Sequence, residues 1–309
     1  MQTSTEQRRP LDAPASQSSS IMSPTLPIRV IHPNPNLEIA FDVRTRNPVY
    51  VLEKLVPQQL TNAKNNSKRR RPRFYEESSL EPIDYRSRLS NYKNSGWDRG
   101  HMAPAADFPE SMEDTFNLCN VSPQNHMMNI SIWSRIEEWI RRLAISEETA
   151  TTYAVTGPLW LPTRQINDTE FQYSYLGLGR PPSLVSVPTH FFKVVVVVEE
   201  NDNCVTIRRF ACFVVPNSEP DKNKTLEDYV VPWTDLETVT GLQFFSKLVD
   251  AEWKAWADQM TKDQVIKQAA SSQPRILTDG SKRSSRRTKI PKEIQQTLRH
   301  LCVEGQCRR

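Results

Sequence analysis

Apolar and polar residues alternate over Leu37-Glu-Ile-Ala-Phe41, break at Thr45-Arg-Asn-Pro48, and resume over Val49-Tyr-Val-Leu52. A period of two on either side of a Pro-containing turn predicts two strands joined by that turn. Thr152-Tyr-Ala-Val-Thr156 predicts another strand, ending at Gly157-Pro158. Phe191–Glu200 and Val205–Val215 are runs of β-branched and aromatic residues with Asn201-Asp-Asn203 between them. Runs this apolar predict a hairpin in the middle of a sheet, covered on both faces. The period changes at Ile130, Trp133, Ile136, Ile140 and Leu143, which recur at threes and fours. That spacing predicts an amphipathic helix over 129–144. Thr234-Asp-Leu-Glu237 has the form of a capping box, Gly241 suits a helix C-terminus, and Lys247–Met260 reads as a second amphipathic helix carrying Trp253 and Trp256.

Strands, helix, strands and helices follow one another without regular βα alternation. That order predicts an α+β fold with a central mixed or antiparallel β-sheet flanked by helices. The flanks are different in kind. Residues 1–36 are rich in Ser, Pro, Thr and Gln and read as a disordered N-terminal segment. Residues 37–260 form one domain, long enough for a sizeable core. Residues 261–309 form a basic C-terminal extension, with a linker over 270–292 and a short basic helix at Lys292–Leu301. Inside the domain, Asn62–Pro72 reads as a basic surface loop, and Tyr75–Asn94 shows too little periodicity to be assigned to an element.

Composition narrows the classes. The 309 residues are 37% hydrophobic, with a mean hydropathy of −0.60. This is a core with polar tails rather than a disordered chain. The longest apolar stretch, Phe191–Val198, is strand length and contains a Lys, which excludes a membrane-spanning helix. Neither GxGxxG nor GxxxxGK[ST] occurs among only 8 glycines, which weighs against P-loop and dinucleotide folds. The net charge is +4, but Ser281–Arg309 holds nine Lys/Arg against two Glu. Basicity therefore sits in that tail and in Lys68–Arg73, as polyanion-binding or address segments do. Five Cys at irregular spacing do not make a disulfide scaffold, and Cys302 with Cys307 has no second pair to complete a zinc set.

Two segments carry chemistry. Trp97-Asp98-Arg99-Gly100-His101-Met102 places a charged pair, a Gly and a His ahead of a small-residue stretch. Asn120-Val-Ser-Pro-Gln124 is followed by Asn129, Trp133 and Glu137, spaced to share one stripe of the predicted helix. Alone, an Asn at a helix start is a cap, and an Asn and Glu two turns apart are a solvated face. Together the segments resemble the DNA/RNA non-specific endonuclease family, with its ββα-metal finger and Asp-Arg-Gly-His motif, and within it the endonuclease G branch. Phe116-Asn-Leu-Cys-Asn-Val-Ser-Pro-Gln124, Val155-Thr-Gly-Pro-Leu159, Val187-Pro-Thr-His-Phe-Phe-Lys193, Val214-Val-Pro-Asn217 and Thr240-Gly-Leu extend the likeness over roughly 37–248.

The resemblance implies a Mg²⁺-dependent, sugar-non-specific endonuclease acting on DNA and RNA and leaving 5′-phosphates, with Mn²⁺ as a substitute ion. His101 is then the general base, and a neutral imidazole suits that role near pH 7. Asn129 is the one direct protein ligand of the ion, and Glu137 holds the ion's waters. Arg99 contacts the phosphate and its developing charge. Asn120 is a further active-site amide that orients His101 or the finger. Arg73 is a second phosphate-binding candidate, and Asp98 reads as structural. His126 reads as an exposed loop residue, His190 as structural, and Trp133 and Trp139 as helix packing. The resemblance also implies a homodimer and a mitochondrial location. Glu6, Asp12 and the prolines of the first 35 residues do not suit a transit helix, and Lys68-Arg-Arg-Arg71 offers a nuclear address instead. No secretory signal is visible. The alternatives are an exonuclease-biased relative and a nucleic-acid-binding protein on a decayed nuclease fold.

Overall fold

The computed structural model describes residues 26–61, 72–201 and 204–261. The sequence readings for the N-terminal 25 residues, for Asn62–Arg71, for Cys302 and Cys307, and for the C-terminal linker and helix lie outside these residues. In chain order come β1 (Ile28–Asn34), β2 (Leu37–Asp42), β3 (Asn47–Leu55), the short α1 (Pro57–Thr61), α2 (Leu89–Tyr92), β4 (Asp98–His101) and β5 (Val121–Gln124). Then follow α3 (His126–Met128), α4 (Ser134–Ser146), β6 (Thr151–Leu159), β7 (Arg164–Gln165), β8 (Phe171–Gln172), β9 (Gly177–Arg180) and β10 (Ser183–Ser186). The chain closes with β11 (His190–Asn201), β12 (Cys204–Pro216), α5 (Trp233–Thr240) and α6 (Ala251–Met260).

Six strands form one sheet in the order β1-β2-β3-β6-β11-β12, with every neighbouring pair antiparallel. The expected α+β class with a central sheet is what the chain adopts, in the antiparallel rather than the mixed form. The sheet starts with β1, inside the segment whose composition suggested no structure. This edge strand leaves Val30 56% exposed, so its apolar periodicity is weak, and pairing with β2 holds it in place.

The β11–β12 hairpin is apolar on both faces because both faces are covered. Phe191 and Phe213 point to one side and meet Trp133 and Trp139, each pair with ring centroids 5.5 Å apart. Phe192 and Phe210 point to the other and meet Phe244 and Trp233 of the C-terminal helical layer. Trp133 and Trp139 are thus packing residues, as read. Gly157 of β6 allows this density: a Cβ there would lie 2.5 Å from the Val49 carbonyl oxygen.

Two local readings need correction. The long helix does not start at Asn129. It starts at His126, where the Asn125 side chain accepts from the Met128 N–H, and passes through a π-type turn at Asn129–Trp133 into α4. Asn125 is the nearer residue with the same capping chemistry, so the cap falls one turn earlier. Nor do Thr234 and Glu237 form a capping box. The N–H groups of Trp233 and Thr234 donate to Asp258 of α6, and Glu237 accepts from Lys254 Nζ at 2.6 Å and the Phe244 N–H at 2.9 Å. A tertiary cap replaces the local one. Gly241 does end α5, with φ +69°.

Candidate active site

Strands β4 and β5 pair over four residues, Asp98 with Gln124 through His101 with Val121. With the helix that follows, they make a β-β-α finger lying against one face of the sheet. Four pairs are too few to hold a hairpin alone, and the remainder of the support comes from asparagines. Asn47, the first residue of β3, accepts from the Ser122 hydroxyl at 2.5 Å and donates to the Ser186 carbonyl at 2.8 Å. Asn217, just past β12, donates to the carbonyls of Pro123 and Pro188 and accepts from the Asn125 N–H at 2.7 Å. Both ends of β5 are thereby fixed to the sheet.

Asn120 is wholly buried, and its side chain is spent on backbone. It accepts from the Ala103 N–H at 3.0 Å and donates to the carbonyls of Ala103 at 2.9 Å and Thr115 at 2.8 Å. Both amide hydrogens are used, so nothing remains to donate to a substrate or to the His101 ring. What it fixes is the chain immediately after His101. Gly100 leaves room for Gln124: a Cβ there would sit 1.9 Å from the side-chain oxygen that crosses the strand, so any other residue would force that side chain to move.

Alternation along β4 puts Arg99 and His101 on one face. Phe74 joins them: its ring centroid is 5.1 Å from that of His101, and the Arg99 guanidinium lies 4.8 Å from its centre. Phe116 completes a triangle of rings, 4.9 Å from the imidazole and 4.9 Å from Phe74. Inside this cage His101 Nε2 is shut off from solvent and has no hydrogen-bond partner among the described residues. Burial depresses the ring's pKa to about 4. The imidazole is neutral throughout the physiological range. The aromatic cage was invisible to sequence periodicity, because Phe74 lies in a stretch with none.

The helix runs along the same strand. Asn129 Nδ2 donates to Asp98 Oδ2 at 3.0 Å, and the Trp133 indole donates to the His101 carbonyl at 3.3 Å. Glu137 lies one helical turn beyond Trp133, near Lys193, Asp107 and Arg141. Desolvation pushes its pKa up to about 7, and the two cations oppose that shift. Asp98 serves to position Asn129, and it also pairs with His126 Nδ1 at 2.9 Å, so the exposed His126 is tied to the finger rather than free in a loop. Arg73 is exposed and directly precedes Phe74 of the cage. His190 is buried beside Thr189, as a structural residue would be.

One participant was not singled out for the site from sequence. Lys193, in the middle of the apolar run of β11, is 1% exposed. Its Nζ donates to the Met102 carbonyl at 2.9 Å and to Thr156 Oγ1 at 2.7 Å, lies 4.9 Å from the centre of the Trp133 ring, and sits 3.7 Å from Glu53. The signal available was a lysine where every neighbour is buried, which demands a partner.

Among the described residues no helix is long and apolar enough to cross a membrane. Residues 17–251 match the family described as DNA/RNA non-specific endonuclease. The chain is 37% identical over 233 residues to the mitochondrial nuclease of Saccharomyces cerevisiae, spanning 74% of this chain and 69% of that one. It is 34% identical over 215 residues to the mitochondrial endonuclease G of Homo sapiens, spanning 68% of each. A crystal structure of the EndoG/EndoGI complex, described as showing the mechanism of EndoG inhibition, contains a chain that superposes with a TM-score of 0.61 at 30% identity. The match covers 73% of this chain and 88% of that one. With the finger, its motif and its sheet in place, the chain is a nuclease and belongs to the DNA/RNA non-specific endonuclease family.

Proposed function

We propose that this nuclease is a Mg²⁺-dependent endonuclease that hydrolyses phosphodiester bonds in DNA and RNA and leaves 5′-phosphates, with His101 as its general base. The observation that carries the reading is the caged imidazole. It is neutral down to about pH 4, its Nδ1, unlike the sealed Nε2, is accessible and makes no hydrogen bond among the described residues, and it shares a strand face with Arg99. A neutral imidazole takes a proton from water, and the attacking oxygen joins phosphorus as the bond to the 3′ oxygen breaks. The departing 3′ oxygen takes up a proton, and the phosphate stays on the 5′ side. Arg99 binds the non-bridging oxygens, its guanidinium steadied by the Phe74 ring.

The residues suit a hard, strongly hydrated divalent ion. Asn129 has its amide nitrogen anchored on Asp98, and its carbonyl oxygen accepts no hydrogen bond among the described residues. Asn129 would hold the ion and Glu137 would accept from its waters, so the ion keeps most of its hydration, as Mg²⁺ prefers. When bound, such an ion neutralises charge on the phosphate and the leaving oxygen. Glu137, raised to about 7, gains from a nearby cation. Asn120 and Asp98 are positioning residues in this scheme, and Arg73 is a peripheral phosphate contact.

The relatives named mitochondrial support a mitochondrial location, and they lend none to a nuclear one. Family kinship supports a homodimer, which light scattering on purified protein tests. The activity test incubates supercoiled plasmid with protein, with and without EDTA, beside His101→Ala. We expect nicking that needs the metal and falls about a thousandfold in the variant. Nicking by the variant at the normal rate would remove His101 from the mechanism. A linear substrate blocked at both ends separates endonucleolytic from exonucleolytic action.

A further inference from the structure

Two clefts open beside the finger. One, of about 570 Å³, is lined by Tyr92, Lys93, Trp97 and Arg99 among others. The next, of about 660 Å³, runs between Lys93 and the β9–β10 hairpin to Arg180. They share Ser90, Lys93 and Asn94, so together they form one channel leading away from Arg99. Lys93 and Arg180 are exposed, and neither has an ion-pair partner among the described residues. Arg88 also lines the channel but is paired with Asp84 at 3.1 Å.

The channel floor is built rather than incidental. Asn91 of α2 donates to the carbonyls of Leu178 at 3.4 Å and Ser183 at 3.2 Å, which pins the hairpin to α2. Gly179 has φ +109°, and a Cβ there would strike the Asn91 amide at 2.1 Å, so only glycine lets the two approach. Below them lies a second apolar cluster, separate from the main core. Tyr92, Leu118, Val121, Leu178, Val185 and Val187 form it, and Trp97 packs against it. Because Leu118 and Val121 flank Asn120 at the entry to β5, the channel and the finger share one foundation. The channel walls thus keep a fixed position relative to His101.

Exposed, unpaired cations on braced backbone, strung along a cleft with an indole in its wall, have the composition of a surface for unpaired nucleic acid. Phosphates meet Lys93 and Arg180, and a base can lie against Trp97 only if it is not paired within a duplex. We infer that this channel binds the single-stranded stretch adjoining the scissile phosphate, with Lys93 and Arg180 as its phosphate contacts. The inference rests on the nuclease reading above and deepens it by naming where the strand runs.

The test uses full-length protein. In a His101→Ala background without metal, a fluorescent single-stranded DNA 12-mer is titrated against protein with and without Lys93→Ala and Arg180→Ala. We expect the double substitution to weaken binding roughly tenfold and to lower the slope of log K against log salt by about 1.4, at about 0.7 per lost phosphate contact. A duplex 12-mer should weaken less than threefold. In the His101 background of the natural sequence, the double variant should hydrolyse bis(p-nitrophenyl) phosphate, which is too small to reach the channel, at an unchanged rate. Unchanged binding and salt slope for the single strand would overturn the inference, as would equal losses on single strand and duplex. Failure of the otherwise unaltered protein to cleave either substrate would instead strike the nuclease reading, and the binding titration would still report on the channel.

Discussion

Strand β11 pairs with β12 along twelve residues and buries a run of valines on both faces, whereas β4 pairs with β5 along only four and is braced by amides. The sheet draws its stability from apolar area spread over many side chains, so no single contact sets its shape. The finger draws its shape from a few hydrogen bonds: Asn120 and Asn217 hold particular backbone groups, and Asn47 holds the Ser122 hydroxyl. An active site needs the second kind of support, because directional bonds fix positions that non-directional burial leaves free. Damage to the two regions should therefore separate: sheet substitutions should lower stability and spare the turnover of the folded fraction, and finger substitutions should do both.

The strongest test of that separation is Phe192→Ala. Phe192 is 1% exposed and packs against Phe244, on the sheet face away from the finger. Its truncation should cost about 3–5 kcal/mol in urea unfolding. Turnover per folded molecule should be unchanged, and a fall in turnover at full folding would show that the sheet positions the site after all.

Lys193→Met probes the seam between the regions. Lys193 belongs to the sheet, yet it donates to the Met102 carbonyl beside His101. Removing it leaves that carbonyl and Thr156 without a donor and Glu53 without its cation, at a cost of about 3 kcal/mol. Burial holds the Glu53 carboxyl above its usual range and Lys193 opposes that shift, so losing the cation raises it further. We expect activity per folded molecule to drop roughly tenfold, with partial recovery of stability in Lys193→Met/Glu53→Gln. Thermal unfolding and plasmid nicking measured on the same samples check both. Full activity in the folded variant would mean that Lys193 is only a core residue.

Asn120→Ala should cost about 2–3 kcal/mol, since it strands the Ala103 N–H and two buried carbonyls. It should also slow nicking, because the chain after His101 loses its brace. Asn120→Asp keeps the acceptor but sets a buried carboxyl oxygen against the two carbonyls, so it should cost at least as much as the alanine. If Asn120→Ala destabilised the protein without slowing the folded enzyme, the amide would be structural alone.

The same contrast explains how much could be read from the sequence. Periodicity found β2, β3, β6 and the β11–β12 hairpin, because burial on one or two faces writes itself directly into residue order. It found the helix through Ile136, Ile140 and Leu143 for the same reason. It could not find the finger, whose strands are too short to show a period. The finger was legible only through its motif, and Gly100 and Asn120 owe their places in that motif to sterics and backbone hydrogen bonds. The aromatic cage and the Asn91 strut left no local trace, since each depends on residues far apart in sequence, and the strands of the β9–β10 hairpin are too short to show a period. The capping box misled because a real donor requirement at α5 was met by Asp258 from another helix. Strand β1 was missed because an exposed edge needs little apolar patterning.

The smallest effect compares the two histidines whose pKa is lowered by desolvation, one in each region. His190, at the start of β11, is 7% exposed and its pKa is lowered by burial to about 3, against an ordinary value of 6.5. The folded protein therefore holds His190 neutral where the unfolded chain would take up a proton. Its contribution to stability is intact above about pH 6.5 and declines as the pH falls toward 3, by about 1.4 kcal/mol per unit. His190→Gln removes this titration and keeps a polar atom for Thr189. The difference in unfolding free energy between the two proteins should be flat above pH 7. Between about pH 6 and 4 it should move steadily in favour of the variant. Carboxylates titrate in both proteins and cancel in that difference. Nicking at neutral pH should not change, since His190 serves the sheet, whereas His101, depressed by the same physics, serves the reaction. A difference curve that stayed flat to pH 4 would show that His190 is hydrated or protonated in the folded state, and the parallel between the two imidazoles would fail.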